Sequence, residues 1–350
     1  MMNRRFKQIC CLLMLSIMLP VFAQSPKPTL RNAEIALYDK PDRQQILVAR
    51  ALAEGELSMY FSARDLMPVV EAFTKKYGIK VKTWKSSGEN VLQRVITEAR
   101  AGRFEVDLVG NESMGMEALH REKLLQRVKS PYFSDLMPQA IVGHGEWVGT
   151  SMDVYVQAYN TQKMSKDDLP KTYQDLLDPR WKGRLAVEAD DYPWFATLIQ
   201  GLGQEKGTKL FKDIVAKNGI TVRKGHTLLV NLVGSGEIPL GLSIYNYTLD
   251  PLKQKGAPVD WFTLEPTVAS FKGIGMLKKA PHPYAAILFY DFVLNEGQKI
   301  LADRSVIPTS NKIDVPLKNL PLKFIDPVQT LDLGDQWLKT YEEIITKNAR

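Results

Sequence analysis

The segment Tyr245-Asn246-Tyr247 sets two phenols two residues apart, directly after the apolar run Ile238 to Leu242. In an extended segment residues two apart share a face, so both hydroxyls can converge on one point. Phenolate and carboxylate are hard oxygen donors, the kind that a highly charged cation selects. A nearby metal ion can also drive off the phenolic proton. Acids stand at two further strand-to-helix corners. Glu112 follows Val106 to Val109, and Asp190-Asp191-Tyr192 lies between the run Leu185 to Val187 and a helix opening near Trp194. One of the two aspartates suits the cap of that helix; the other suits a cation or a ligand hydroxyl. Glu112 equally suits the first turn of a helix as a plain N-terminal acid. Arg64 and His226 point to the opposite charge. Arg64, after the run Leu57 to Tyr60, carries a guanidinium that matches carboxylate or phosphate in a fork. His226, with Thr227, opens a helix after Gly225, where backbone N–H groups make an anion seat. Like charges about 4 Å apart repel by about 4 kcal/mol at a surface-like dielectric. Arg64 beside a bare cation therefore calls for an anion between them.

Two chemistries remain open on these residues. In one, Glu112 and Tyr247, with Tyr245 and an aspartate, hold a hard cation. In the other, Arg64 and helix N-termini grip a phosphate, phosphonate or carboxylate, and the acids take its hydroxyls or amine. Much else is excluded. Cys10 and Cys11 are the two cysteines, and both lie in an N-terminal segment with the layout of a cleavable secretory signal. That segment has Arg4, Arg5 and Lys7, an uncharged apolar run to Phe22, and small residues at Val21 and Ala23. Cleavage after Ala23 leaves a chain with no thiolate and no disulfide. It also leaves 43 Lys and Arg against 39 Asp and Glu, a mild balance with no basic run to bind nucleic acid. No later run reaches membrane-spanning length. Neither a phosphate-binding G-x-x-x-x-G-K-[ST] loop nor an H-E-x-x-H helix occurs, and there is no paired nucleophile and base. His120, His144 and His282 are scattered and read as structural or surface residues. An enzyme of transferase or hydrolase type, with Asp190, Asp191 or Glu112 as general base beside His226, is the alternative of another class.

The elements that must position these residues alternate. Leu57 to Tyr60, Ile79 to Trp84 and Val106 to Val109 read as strands. Between them, Leu66, Val69, Val70 and Phe73, then Val91, Leu92, Val95 and Ile96, mark helical faces. A second block repeats the rhythm from Leu185 to Phe262, and the chain returns to the first block with the helix after Pro281-His282-Pro283. Such alternation gives a mostly parallel sheet covered by helices. Two blocks, one inserted in the other, leave a cleft hinged on two crossing strands, expected at Val154 to Tyr159 and Leu264 to Phe271. Ligands sit at strand carboxyl ends and domain interfaces. The expected division is residues 1–23 as signal peptide and 24–41 as an N-terminal extension. Residues 42–156 plus 268–350 then form one lobe and 157–267 the other.

Seven stretches carry a resemblance: Asp42 to Tyr60 (DRQQILVARALAEGELSMY), Ala72 to Val81 (AFTKKYGIKV), Asp107 to Glu112 (DLVGNE), Tyr173 to Leu185 (YQDLLDPRWKGRL), Gly234 to Leu240 (GSGEIPL), Lys255 to Asp260 (KGAPVD) and Lys279 to Phe292 (KAPHPYAAILFYDF). In this order, over nearly all of the mature chain, the sequence resembles the type 2 periplasmic binding proteins, in the branch that contains the ferric-ion-binding proteins. The resemblance implies an α/β fold of two lobes that close on a ligand. It implies a monomer in the periplasm that delivers its solute to an inner-membrane ABC permease, with Fe3+ as transported ligand in the iron-specific members and no resident cofactor. It also implies iron ligands: a His after the first strand, a Glu after the third, and two adjacent tyrosines after the Gly-Glu-Ile segment. Glu112 and Tyr247 match. Arg64 stands at the His position and Asn246 at the first tyrosine, with Tyr245 one residue away. The expected ligand-binding set is therefore Arg64, Glu112, Asp190, Asp191, Tyr192, His226, Tyr245 and Tyr247, with Glu112 and Tyr247 as metal ligands if the solute is iron.

Overall fold

The computed structural model describes residues 30–62 and 66–347. The signal segment 1–23 and Arg64 lie outside these residues. The strands are β1 (Glu56–Phe61), β2 (Lys80–Lys85), β3 (Leu108–Glu112), β4 (Leu125–Gln126), β5 (Val148–Asn160), β6 (Leu185–Glu188), β7 (Thr221–Arg223), β8 (Leu240–Tyr245), β9 (Val259–Phe262), β10 (Thr267–Leu277), β11 (Ile307–Pro308) and β12 (Leu322–Phe324). The helices are α1 (Asn32–Ala36), α2 (Arg43–Glu54), α3 (Leu66–Tyr77), α4 (Gly88–Arg100), α5 (Ser113–Arg121), α6 (Tyr192–Leu202), α7 (Gln204–Asn218), α8 (His226–Ser235), α9 (Asp250–Gln254), α10 (Pro283–Leu294), α11 (Glu296–Ala302), α12 (Pro327–Asp332) and α13 (Gly334–Tyr341).

Hydrogen bonding orders the strands β2-β1-β3-β10-β5-β8-β6-β7. The β1–β2, β1–β3, β6–β7 and β6–β8 pairs are parallel, as strand–helix alternation requires. Two long antiparallel strands sit at the centre. β5 pairs with β10 over Val148 to Val154 and with β8 and β9 over Tyr155 to Asn160. It thus belongs to both halves of the sheet. β10 returns the chain beside β3. Both strands run longer than the crossing segments expected from sequence, and β5 is buried along its whole length, which suits the middle of a sheet covered on both faces.

Separate apolar clusters flank the two halves. Tyr60, Val91, Val95, Val109, Met116, Leu119 and Trp147 form one. Trp181, Trp194, Phe195, Phe211, Leu240 and Leu242 form another, which also takes in Trp337 and Tyr341 from α13. The tail is consequently shared between the halves. β12 pairs with β10. α12 is tied to α5 by Arg121 Nη1, which donates to Asp332 Oδ1 at 2.6 Å. α13 sets Tyr341 edge-on against Phe195 of α6, with ring centres 5.3 Å apart. Residues 327–346, expected with the first lobe, therefore also pack on the second half. Arg43 of α2 is paired with Asp291 of α10, both side chains almost fully buried, which joins the two helices behind the first half.

Candidate functional site

The strand order brings a row of polar side chains across the middle of the sheet. Glu112, the last residue of β3, is the direct cross-strand partner of Lys272 on β10. Lys272 Nζ reaches over to Asp153 Oδ2 on β5 at 3.0 Å. Tyr155, two residues on, is the cross-strand partner of Tyr245 at the end of β8, and their hydroxyls are 2.9 Å apart. Four adjacent strands thus lay carboxylate, ammonium, carboxylate and two phenols in line. The carboxyl ends of β3, β6 and β8 meet here, where ligands bind in open α/β sheets.

Glu112 sits at the N-cap position of α5, yet its side chain makes no cap bond. Part of the residue is exposed to solvent, and it lines the cavity described below while protein packs closely around its carboxyl. Its orientation comes from Asn111, whose Oδ1 accepts the Glu112 amide at 2.9 Å and the Ser62 hydroxyl at 3.0 Å, while its Nδ2 donates to the Gly88 carbonyl at 2.9 Å. The Asn111 side chain fills the space where a Cβ on Gly88 or Gly115 would lie, 2.8 Å and 2.5 Å away. Protein crowding around the Glu112 carboxyl raises its pKa above the ordinary range. Asp153 and Asp191 push the same way, and Lys272 and His226 pull it back.

Tyr245 and Tyr247 stack with ring centres 5.6 Å apart and planes 14° from parallel, so the two phenols do share a face. Asn246 between them points away: its Oδ1 accepts the buried Val154 amide at 3.0 Å. The residue at the position of the first family tyrosine is therefore spent on tying β8 to β5. Lys272 Nζ lies 4.6 Å above the Tyr247 ring. Burial holds the Tyr245 and Tyr155 phenols well above the usual range; Asp191, Glu112 and Asp153 reinforce it at both, Tyr155 adds to it at Tyr245, and the hydrogen bond with Tyr245 works against it at Tyr155.

Asp191 and His226 come together beside Tyr245. His226 Nε2 is 3.3 Å from Asp191 Oδ1, and the imidazole lies against the Tyr245 ring, centre to centre 4.1 Å. Burial pushes the imidazolium down, but Asp191, with Glu188 and Glu112 behind it, outweighs burial and leaves it above its ordinary value. At the start of α8, where an anion seat was expected, one amide is held by a carboxylate of the protein itself. Glu188 Oε1 accepts the amide of Gly225, the N-cap residue, at 2.7 Å, and Oε2 accepts the Asp190 amide. Neither aspartate caps α6 through its side chain. Asp190 is exposed and faces Lys224 at 3.5 Å. Tyr192 stands further along the cleft. With Glu112, Asn111, Met114, Asp335 and Leu338 it lines a cavity of about 390 Å³.

Of the expected set, the structure brings together Glu112, Asp191, His226, Tyr245 and Tyr247, with Tyr192 at the cleft wall and Asp190 at the surface. Sequence reading missed Asp153, Tyr155, Glu188 and Lys272. Lys272 had a signal: it is the one charged residue in the otherwise apolar strand Thr267–Leu277, and a lone charge there needs a partner.

Residues 107–327 match the family model described as bacterial extracellular solute-binding protein. The chain belongs to that family, whose members bind solutes rather than transform them. The Fe(3+)-binding periplasmic protein of Serratia marcescens is 29% identical over 279 residues, covering 74% of this chain and 81% of that protein. Iron-bound HitA from Pseudomonas aeruginosa superposes with a TM-score of 0.70 at 25% identity, over 83% of this chain and 99% of the other. AfuA from Actinobacillus pleuropneumoniae, solved with fructose-6-phosphate, gives 0.68 at 22%, over 84% and 99%. The fold is accordingly the two-lobed type 2 fold of periplasmic binding proteins, and the protein is an extracytoplasmic solute-binding protein, not an enzyme. Among the described residues no helix is long and apolar enough to cross a membrane.

Proposed function

We propose that this chain captures ferric iron in the cleft and presents it to an inner-membrane ABC permease. On this reading residues 1–23 direct the chain to the periplasm. Residues 42–156 plus 268–350 as one lobe and 157–267 as the other then close on the ion as a monomer about β5 and the return into β10. The observation that carries the proposal is the stacked Tyr245–Tyr247 pair beside an acid-rich floor. Phenolate and carboxylate oxygens are the donors a hard trivalent cation selects, and Glu112, Asp153 and Asp191 supply anionic charge beside Lys272. That lysine is itself committed to Asp153. The resemblance of the chain to iron-binding relatives supports the same solute.

Capture follows from the residues present. Each phenol gives up its proton as it meets the ion, and Tyr155 holds the Tyr245 oxygen in place. Glu112 comes from the first half and the tyrosines from the second, so an ion touching both favours the closed form by its differential affinity. The rival reading, a small organic anion, has weaker support, because Glu188 occupies the N-cap amide of α8 that would seat one.

The test is optical. Titrating metal-free protein with ferric citrate should produce a red-brown tyrosinate charge-transfer band that saturates at one ion per chain. It should weaken in both Tyr245→Phe and Tyr247→Phe. Protein that stays colourless, yet gains thermal stability from an organophosphate, would assign the cleft to anions.

A further inference from the structure

We propose that His226 is a direct nitrogen ligand of the captured ion through Nδ1, with Asp191 as the group that positions it; this rests on the cation reading above. The argument starts from a buried atom that makes no hydrogen bond. His226 Nδ1 is buried and has no hydrogen-bond partner, and neither has the second carboxylate oxygen of Asp191. Buried polar atoms are almost always satisfied, and an exception needs a reason. The other ring nitrogen supplies one. Nε2 pairs with Asp191 Oδ1 at 3.3 Å, which favours the proton on Nε2 and leaves the Nδ1 lone pair uncommitted. That is the arrangement in which histidine serves metals: a carboxylate fixes the tautomer from behind and the opposite nitrogen faces the ion.

The surroundings agree. Glu188, Asp191 and His226 each offer a donor atom within 4.8 Å of the others. Both oxygens of Glu188 are already taken by backbone amides, so Glu188 fixes the start of α8 and leaves ligation to His226. The imidazole lies against Tyr245, which puts the nitrogen donor beside the phenol pair.

A second cluster of acid and histidine donors shows the contrast. Glu117, His120 and His144 also offer donors within 4.8 Å of one another. There the His144 Nδ1 accepts the Glu146 amide at 3.1 Å and Nε2 meets Glu117 at 3.2 Å. His120 stacks on it at 3.7 Å and is held by Glu146. Both nitrogens of His144 are spent, so this cluster reads as a satisfied network. At His226 one nitrogen is left over. Ligation there puts two protein nitrogen and oxygen donors, His226 and Tyr245, on the same half of the cleft, and an ion docks on that half before the first half closes over it.

Pulsed EPR on the ferric-citrate-loaded protein decides the matter, because citrate carries no nitrogen. Protein labelled with 15N-histidine should show a shifted nitrogen modulation that disappears in His226→Gln, while a phenolate band persists. Asp191→Asn should bind ferric iron about 10–100-fold more weakly, as the loss of a positioning carboxylate does. A coloured wild type with no histidine modulation, or modulation that survives in His226→Gln, overturns the assignment and leaves the iron reading standing. A colourless wild type overturns both. Should His226→Gln fail to fold, His226→Asn takes its place under the same criteria, and a coloured wild type without histidine modulation overturns the assignment by itself.

Discussion

Iron capture through the two phenols, as proposed, is strongly pH-dependent, and the number of protons released sets the slope. A tyrosine carries its proton at neutral pH, and burial holds that of Tyr245 more tightly still. Binding through both Tyr245 and Tyr247 therefore releases two protons. Each released proton makes the apparent affinity rise tenfold per pH unit, about 1.4 kcal/mol. Two protons give about 2.7 kcal/mol per unit on the same basis. The sign follows from which state holds the protons: the empty site is protonated and the loaded site is not, so acid favours release. Glu112, also pushed up, adds to the slope only in acid, where it too is protonated when empty. Calorimetric titration with ferric citrate in two buffers of different ionisation enthalpy counts the protons directly, once the citrate contribution is subtracted. Tyr247→Phe should lower the count by one. A coloured complex that forms with no proton release, or an affinity that is flat with pH, refutes phenolate ligation.

Four further outcomes follow from the packing. Gly115→Ala drives a Cβ into Asn111, so overpacking should cost about 1–3 kcal/mol in urea melts and weaken solute binding by turning Glu112; an unchanged midpoint counts against this role of Asn111. Asn246→Ala leaves the Val154 amide unpaired and should cost about 1–3 kcal/mol, measured the same way. Arg43→Met strands the Asp291 carboxylate in the core, where breaking a buried pair costs about 3–5 kcal/mol. Burial already raises that carboxyl, so the deficit should shrink in acid as it protonates, and a deficit independent of pH argues against the pair. Tyr155, Tyr245, Tyr290 and Tyr341 are all held well above the usual range by burial. The folded state thus keeps protons that the unfolded state loses. Stability should be full below about pH 10, the ordinary tyrosine pKa, and fall as pH rises through it; denaturant midpoints between pH 8 and 11 check this.

The strand–helix rhythm was legible because each helix carries one apolar face and each strand a short apolar run, and both periods survive in the sequence. The Tyr245–Tyr247 pair was legible, but for a different reason than expected: Asn246–Thr248 is a tight 3-10 turn rather than extended strand, and that turn, not period two, brings the rings together. Asn246 shows the limit. Only the β5–β8 register reveals that its side chain is bonded to Val154. Lys272 and Asp153 lie far apart in sequence, and their pairing depends on β10 lying beside β5. The Glu188 carboxylate at the start of α8 was illegible for a similar reason: it comes from the end of another strand and takes the Gly225 amide.

The course of the tail has a mechanical consequence. α12 is pinned to α5 on one bank of the cleft, and α13 is bedded in the aromatic cluster on the other. Any separation of the banks must stretch or shed this clasp. Its tie to α5 is a surface ion pair, of a kind worth at most about 1 kcal/mol and weakened by salt. The grip of α13 rests on the buried rings of Trp337 and Tyr341. The tail therefore lets go at the α5 end first, and the ease of opening is set by Arg121 and Asp332, two residues that never meet the cargo.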